Sequence, residues 1–150
     1  MTKSLSVVFI VRRGTPYVSL ANLNMLRKPR ESKFALRFRH WLRAQKLDFS
    51  ATFELKDCSD KKSFAFSELK EEQENWALAI SEGKGVLMRQ MGGNGEPDYT
   101  YHYKDPAFVV INFKEGFTII TIQNLLQEKV TSTRKSLTYA RAKLISSFSG

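Results

Sequence analysis

Between Leu47 and Lys56 apolar and polar residues alternate without a break, Leu47, Phe49, Ala51, Phe53 and Leu55 against Asp48, Ser50, Thr52, Glu54 and Lys56. A period of two predicts a half-buried strand with Glu54 and Lys56 as neighbours on one face. A polar turn over Asp57 to Lys62 follows, and then Ser67 is a candidate N-cap, with Glu68, Glu71 and Glu72 where a helix dipole favours acids. That helix has an apolar stripe of Leu69, Trp76, Ala77 and Ile80, and it should stop by Gly83 or Gly85. One turn of the stripe is taken by Gln73, an amide where Leu would be cheaper to bury. The run from Gly85 to Arg89 reads as the next strand, so strand, helix and strand predict a parallel crossover of the usual right hand.

A helix starting near Arg30 is predicted by Phe34, Phe38, Trp41, Leu42 and Gln45 at helical spacing, with Lys33, Arg37, Arg39, His40 and Arg43 on its other faces. Val7 to Val11 is rich in β-formers; its residues leave open an added strand or a loose arm. Ala107 to Phe113 is almost wholly apolar, the pattern of a strand covered on both faces. Lys114-Glu115-Gly116 should turn it into a hairpin with Phe117 to Ile122, followed by a short helix through Leu125 and Leu126. The C-terminus predicts a last amphipathic helix, capped by Ser136, with Leu137, Ala140, Leu144, Ile145 and Phe148 on one side. Gly92-Gly93-Asn94-Gly95 lacks the spacing and the following helix of a phosphate-binding loop. Residues 1–150 thus read as one α/β domain, a mixed central sheet flanked by helices. The order of the basic segment over about residues 1–29 is left open.

Composition narrows the partners. A length of 150 residues suits one domain with a real core, and a net charge of +9 favours a polyanionic partner. Cys58 is the only cysteine and no Cys/His cluster has zinc spacing, which fits a reducing, cytoplasmic setting. The apolar run Leu5 to Val11 is about half of a membrane span, so neither a signal peptide nor a membrane segment is expected. The basic stretch of Arg12, Arg13, Arg27, Lys28, Arg30 and Lys33 is either a solvated linker or a contact to phosphate. His40 and His102 have no partners that would give them chemistry, and Cys58 has no activating neighbour beyond lysines.

A carboxylate and an ammonium side by side on a strand, opposite a polar helix residue, suit metal-assisted phosphodiester hydrolysis. The acid holds Mg²⁺ or Mn²⁺, and the amine stabilises the attacking water or the developing charge. Phe53-Glu54-Leu55-Lys56, Ser63-Phe64-Ala65-Phe66, the helix Gln73, and a strand from Gly85 to Arg89 together resemble the core of the PD-(D/E)XK nuclease superfamily. The nearest likeness is to RecU-type and archaeal-type Holliday-junction resolvases and related small phage-type proteins. The resemblance covers roughly Glu31 to Arg89, with a weaker likeness in Glu96-Pro97-Asp98-Tyr99 and the C-terminal segment. It implies a restriction-endonuclease-like fold and a homodimer cutting branched DNA. Glu54 would be the metal-binding acid, Lys56 the motif lysine, Gln73 the orienting glutamine and Glu31 the acid of the first helix. Arg37, Arg43, Lys62 and Arg89 are the candidate phosphate contacts.

The chain departs from that pattern at the aspartate, which usually precedes the motif by ten or more residues. Only Asp48 stands within reach, and six residues of extended strand span roughly 20 Å, too far for two ligands of one ion unless the chain bends. Asp98 is therefore the better candidate for the second metal ligand, and it would have to enter the site from the other side of the sheet. A second pairing, Pro97-Asp98 with Asn112-Phe113-Lys114, is weaker because Asn112 is a poor ligand. Bland readings stand beside these: a Glu-x-Lys pair is often a solvated surface feature, Gln73 can simply cap a backbone group, and Asp98 can be a turn residue. Two other functions fit the same charge: a nucleic-acid-binding protein of this fold that has lost an acid, and a basic protein-interaction domain.

Overall fold

The computed structural model describes the backbone at residues 7–12, 15–20, 32–45, 51–84, 86–91, 97–102 and 105–149, and the side chains at 32–45, 51–84 and 105–147. In chain order the elements are β1 (Val7–Arg12), β2 (Thr15–Leu20), α1 (Lys33–Gln45), β3 (Ala51–Asp57), β4 (Ser63–Ala65), a 3₁₀ turn (Phe66–Glu68) and α2 (Glu71–Ser81). There follow β5 (Val86–Met91), β6 (Pro97–His102), β7 (Ala107–Asn112), β8 (Phe117–Thr121), α3 (Ile122–Thr131), β9 (Ser136–Thr138), α4 (Tyr139–Ile145) and β10 (Phe148–Ser149). Among the described residues eight strands form one mixed sheet in the order β10-β8-β7-β3-β1-β2-β5-β6, and β4 and β9 form a separate two-stranded ribbon. Among the described residues no helix is long and apolar enough to cross a membrane.

Each face of the sheet carries its own apolar layer. Ser32 starts α1: its hydroxyl accepts from the Ala35 N–H at 3.1 Å, satisfying an orphan donor of the first turn. The stripe Phe34, Phe38 and Leu42 then lies on Ala51, Phe53 and Leu55 of β3, with Phe108 and Val110 of β7 beside them. Aromatic edges lock this layer. Phe38 meets Phe53 and Phe117 at ring separations of 5.6 Å, both edge-on, the geometry that ring quadrupoles favour. The opposite face carries Ala107, Val109 and Ile111 of β7 and Ile120 of β8 under Leu69, Ala77, Leu125, Leu137 and Ala142.

The strand with Glu54 and Lys56 is buried from Ala51 through Lys56, not half-buried as its alternation predicts. The reason is position: β3 lies between β1 and β7, with a helical layer over each face. The parallel crossover exists, but its returning strand is β7, paired with β3 from Thr52↔Ala107 to Asp57↔Asn112. The expected return over Gly85 to Arg89 is corrected: β5 pairs antiparallel with β2 and β6 on the far side of the sheet. The apolar run Ala107 to Ile111 tolerates a doubly covered central place. The segment Val7 to Val11 is a strand, β1, between β2 and β3. The predicted β7–β8 hairpin and the helix through Leu125 and Leu126 are present.

Two helix starts also differ from expectation. Helix α2 begins at Glu71, not after Ser67, because Phe66 and Leu69 are buried from a 3₁₀ turn that precedes it. It ends as predicted near Gly83, whose φ of 78° lies in the left-handed region where a side chain is costly. At the C-terminus, Ser136 and Leu137 belong to β9, which pairs with β4, and Thr138 caps α4 by accepting from the Arg141 N–H at 3.2 Å. In this shorter helix Ala142 is the buried residue, and Leu144, expected on the inward side, is 77% exposed.

Candidate functional site

Glu54 and Lys56 project from the middle of the sheet into the layer beneath α2 and α3, at 2% and 4% exposure. Their register neighbours are apolar: Val8 and Val109 flank Glu54, and Ile111 stands beside Lys56. The Lys56 Nζ lies 3.7 Å from Glu54 Oε1, an ion-pair distance too long for a hydrogen bond. Burial pulls the Lys56 pKa below the usual lysine value; the charges of Glu54 and Glu68 oppose that pull and Lys70 adds to it. Thr52 on the same strand face and Thr118, in Lys56's row beyond Ile111, are buried hydroxyls without a hydrogen-bond partner among the described residues. Thr52, Glu54, Lys56 and Thr118 therefore form a polar strip under an otherwise apolar layer.

Gln73 is buried on the inward face of α2, as its place in the stripe predicts. Its Oε1 accepts from the Lys70 N–H at 2.9 Å, so this side chain caps its own helix. Glu68 and Lys70, at the start of the crossover helix, act on Lys56 through their charges. Sequence reading missed that role and saw Glu68 only as an acid suited to the dipole. The signal available was that a crossover from β3 returns the N-terminal end of its helix past the strand's C-terminal end.

The expected second metal ligand does not meet the first. Asp98 pairs with Gln90, Gln90 with Ser19, Ser19 with Val8 and Val8 with Glu54, so the two acids share one row of the sheet, four strands apart. Four strand spacings amount to about 19 Å, whereas ligands of one Mg²⁺ bring their oxygens to about 2.1 Å from it. Asp98 is thus corrected as a partner of Glu54. Glu31 and Asp48 lie outside the described residues. Asn112 is no ligand either: its amide donates to Asp57 Oδ1 at 3.1 Å and ties the ends of β3 and β7 together.

The candidate phosphate contacts separate in the same way. Arg37 and Arg43 are exposed on α1, whose layer covers the other face of the sheet, so they are corrected as contacts to a phosphate held at Glu54. Lys62 is exposed beside β4, on the layer that Glu54 faces. Arg89 is on β5, three strands from β3, and its side chain is outside the described set. Cys58 is buried; loss of solvent pushes its thiol up to about 12, with Asp57 and Asp60 adding to the shift.

No group of three or more His, Cys, Asp or Glu side chains among the described residues is placed to hold a metal ion. Glu54 alone still fits one role, because Mg²⁺ is commonly held by one or two carboxylates with waters and substrate phosphate oxygens completing its shell. No protein-family model, curated protein or solved structure matches this chain.

Proposed function

We propose that the chain is a metal-dependent endonuclease of the PD-(D/E)XK type, with a restriction-endonuclease-like fold, that hydrolyses phosphodiester bonds in DNA. The observation that carries this reading is the buried Glu54–Lys56 pair on the central strand, between the register neighbours Val8 and Val109. Apolar residues of similar size would serve stability there at least as well, so charges kept at that place point to chemistry. The crossover from β3 through α2 to a parallel β7, with the buried Gln73, supports the same reading.

In this mechanism Glu54 would hold Mg²⁺ or Mn²⁺, which supplies Lewis-acid polarisation of the phosphoryl oxygens. Lys56, fixed 3.7 Å from Glu54 and holding its proton less tightly than a free lysine, orients the attacking water and balances negative charge as it develops. The net charge of +9 draws the DNA in. Branched DNA, a homodimer and a cytoplasmic setting belong to the same proposal.

A second reading has one observation in its favour. The row position of Asp98 deprives Glu54 of its expected partner, which suits a DNA-binding protein that has lost cleavage. Purified protein should be incubated with junction, flap and linear DNA in Mg²⁺ or Mn²⁺. Metal-dependent cutting that drops at least about 100-fold in both Glu54→Ala and Lys56→Ala supports the nuclease. Cutting unchanged in both variants sinks it, and salt-sensitive binding without cutting selects the second reading.

A further inference from the structure

Away from Glu54, a hollow of about 350 Å³ opens between the end of α3, the 132–135 turn, β9 and α4. Glu128, Thr133, Arg134, Ser136 and Arg141 are among its walls. Arg141 is held as a fork: its Nε and Nη2 donate to the two carboxylate oxygens of Glu128 at 2.8 and 3.1 Å. The guanidinium has five N–H donors, so three remain for a ligand, and its side chain is 53% exposed. Arg134 is exposed and has no carboxylate partner among the described residues, while the Ser132 hydroxyl fixes its backbone by accepting from the Arg134 N–H at 3.1 Å. The hydroxyls of Thr133 and Ser136 are uncommitted among the described residues.

The two arginines and one glutamate leave the hollow a single net positive charge, a match for one phosphodiester and a poor match for a cation. A planar guanidinium braced in place suits a phosphate better than a mobile lysine would, because little freedom is lost on binding. The hollow is also tied to the Glu54 side of the sheet. Ser136 pairs with Ala65 in the β4–β9 ribbon, and the Phe66 N–H donates to the Lys135 carbonyl at 3.1 Å, just before Glu68 and Lys70 approach Lys56. We infer that this hollow is a phosphodiester-binding subsite for a nucleic-acid strand, with Arg134 and the Glu128-braced Arg141 as its cations. The inference rests on the nucleic-acid reading above and adds a contact surface to it.

The test is fluorescence anisotropy of a labelled 20-mer duplex DNA with the full chain in EDTA, over a salt series, so that no cleavage intervenes. Arg134→Gln should weaken binding about tenfold at low salt and flatten the log K against log salt slope by about one. Glu128→Gln keeps an acceptor for Arg141 while removing the opposing charge, and should tighten binding several-fold. Two variants with opposite signs separate a lost contact from a damaged fold, and thermal melting of both checks the latter. Binding by both variants equal to the parent overturns the subsite, as does absence of salt-dependent DNA binding by the parent. If Arg134→Gln weakens binding while Glu54→Ala leaves cleavage intact, the subsite stands and the nuclease mechanism falls.

Discussion

Replacing Glu54 by Leu and Lys56 by Met together should make the protein more stable and, on the proposed mechanism, inactive. The two charges are 3.7 Å apart and almost fully buried. At an effective dielectric constant of about 20, their attraction is about 4.5 kcal/mol, while removing each ion from water costs several kcal/mol. The pair therefore breaks even at best, and an apolar replacement is expected to gain about 1–4 kcal/mol. Breaking the pair is another matter. Glu54→Leu deprives the buried Lys56 of its nearest opposite charge, so that it stays charged at a cost or gives up its proton, which for an ordinary lysine at pH 7 costs about 5 kcal/mol. A loss of about 3–5 kcal/mol is expected for that single variant.

The pH dependence has a definite sign. Burial already holds the folded pKa of Lys56 below its value of 10.5, and without Glu54 it falls further. Between the folded and unfolded values the unfolded chain binds more protons, so the stability of Glu54→Leu should rise with pH up to about 10.5. Urea denaturation of the parent, both single variants and the double variant reads all four corners of the cycle. A double variant less stable than the parent by more than about 1 kcal/mol would show that the pair is a structural asset, and the case for chemistry at β3 would go with it.

Other expectations are simpler to check. Gln73→Leu should remove the acceptor for the Lys70 N–H and cost about 1 kcal/mol, whereas Gln73→Glu keeps an acceptor at the capping-box position and should melt above Gln73→Leu; thermal melts showing no difference between them would dismiss the capping role. Cys58, buried and with its thiol raised to about 12, should resist an aromatic disulfide reagent at pH 8 until urea exposes it. Labelling of the native protein at the rate of a free thiol would contradict the burial.

Local pattern reached as far as local causes did. The spacing of Phe34, Phe38 and Leu42 sufficed for α1 because one helix face against one sheet face obeys a single period. The alternation that marks β3 as a strand also suggests an exposed polar face, and burial of Glu54 could not be read from it, because burial depends on which strands flank β3. The return strand was misplaced for the same reason: Val86–Met91 follows α2 directly, yet Ala107–Asn112 is the run apolar enough for the centre. Ser136 resembles an N-cap in sequence, but pairing of β9 with Ser63–Ala65 moves the helix start to Tyr139. At the site, Glu54, Lys56 and the inward Gln73 were legible as types at spacings. The separation of Asp98 from Glu54 was not, since it is set by the order of strands across the sheet.

The pairing of β3 with β7 also bears on how the molecule is made. The two strands are separated by about fifty residues of chain (57 to 107), and closing a flexible loop of that size carries a length-dependent entropy of about 3.5 kcal/mol. The β7–β8 hairpin and α1 can form from nearby residues, but the central seam has to wait for a distant segment. Until that seam closes, Glu54 and Lys56 remain hydrated like any surface charges. The acid–amine couple is thus created only when distant segments of the chain dock, and a molecule without that seam should carry the same residues without their altered proton affinity.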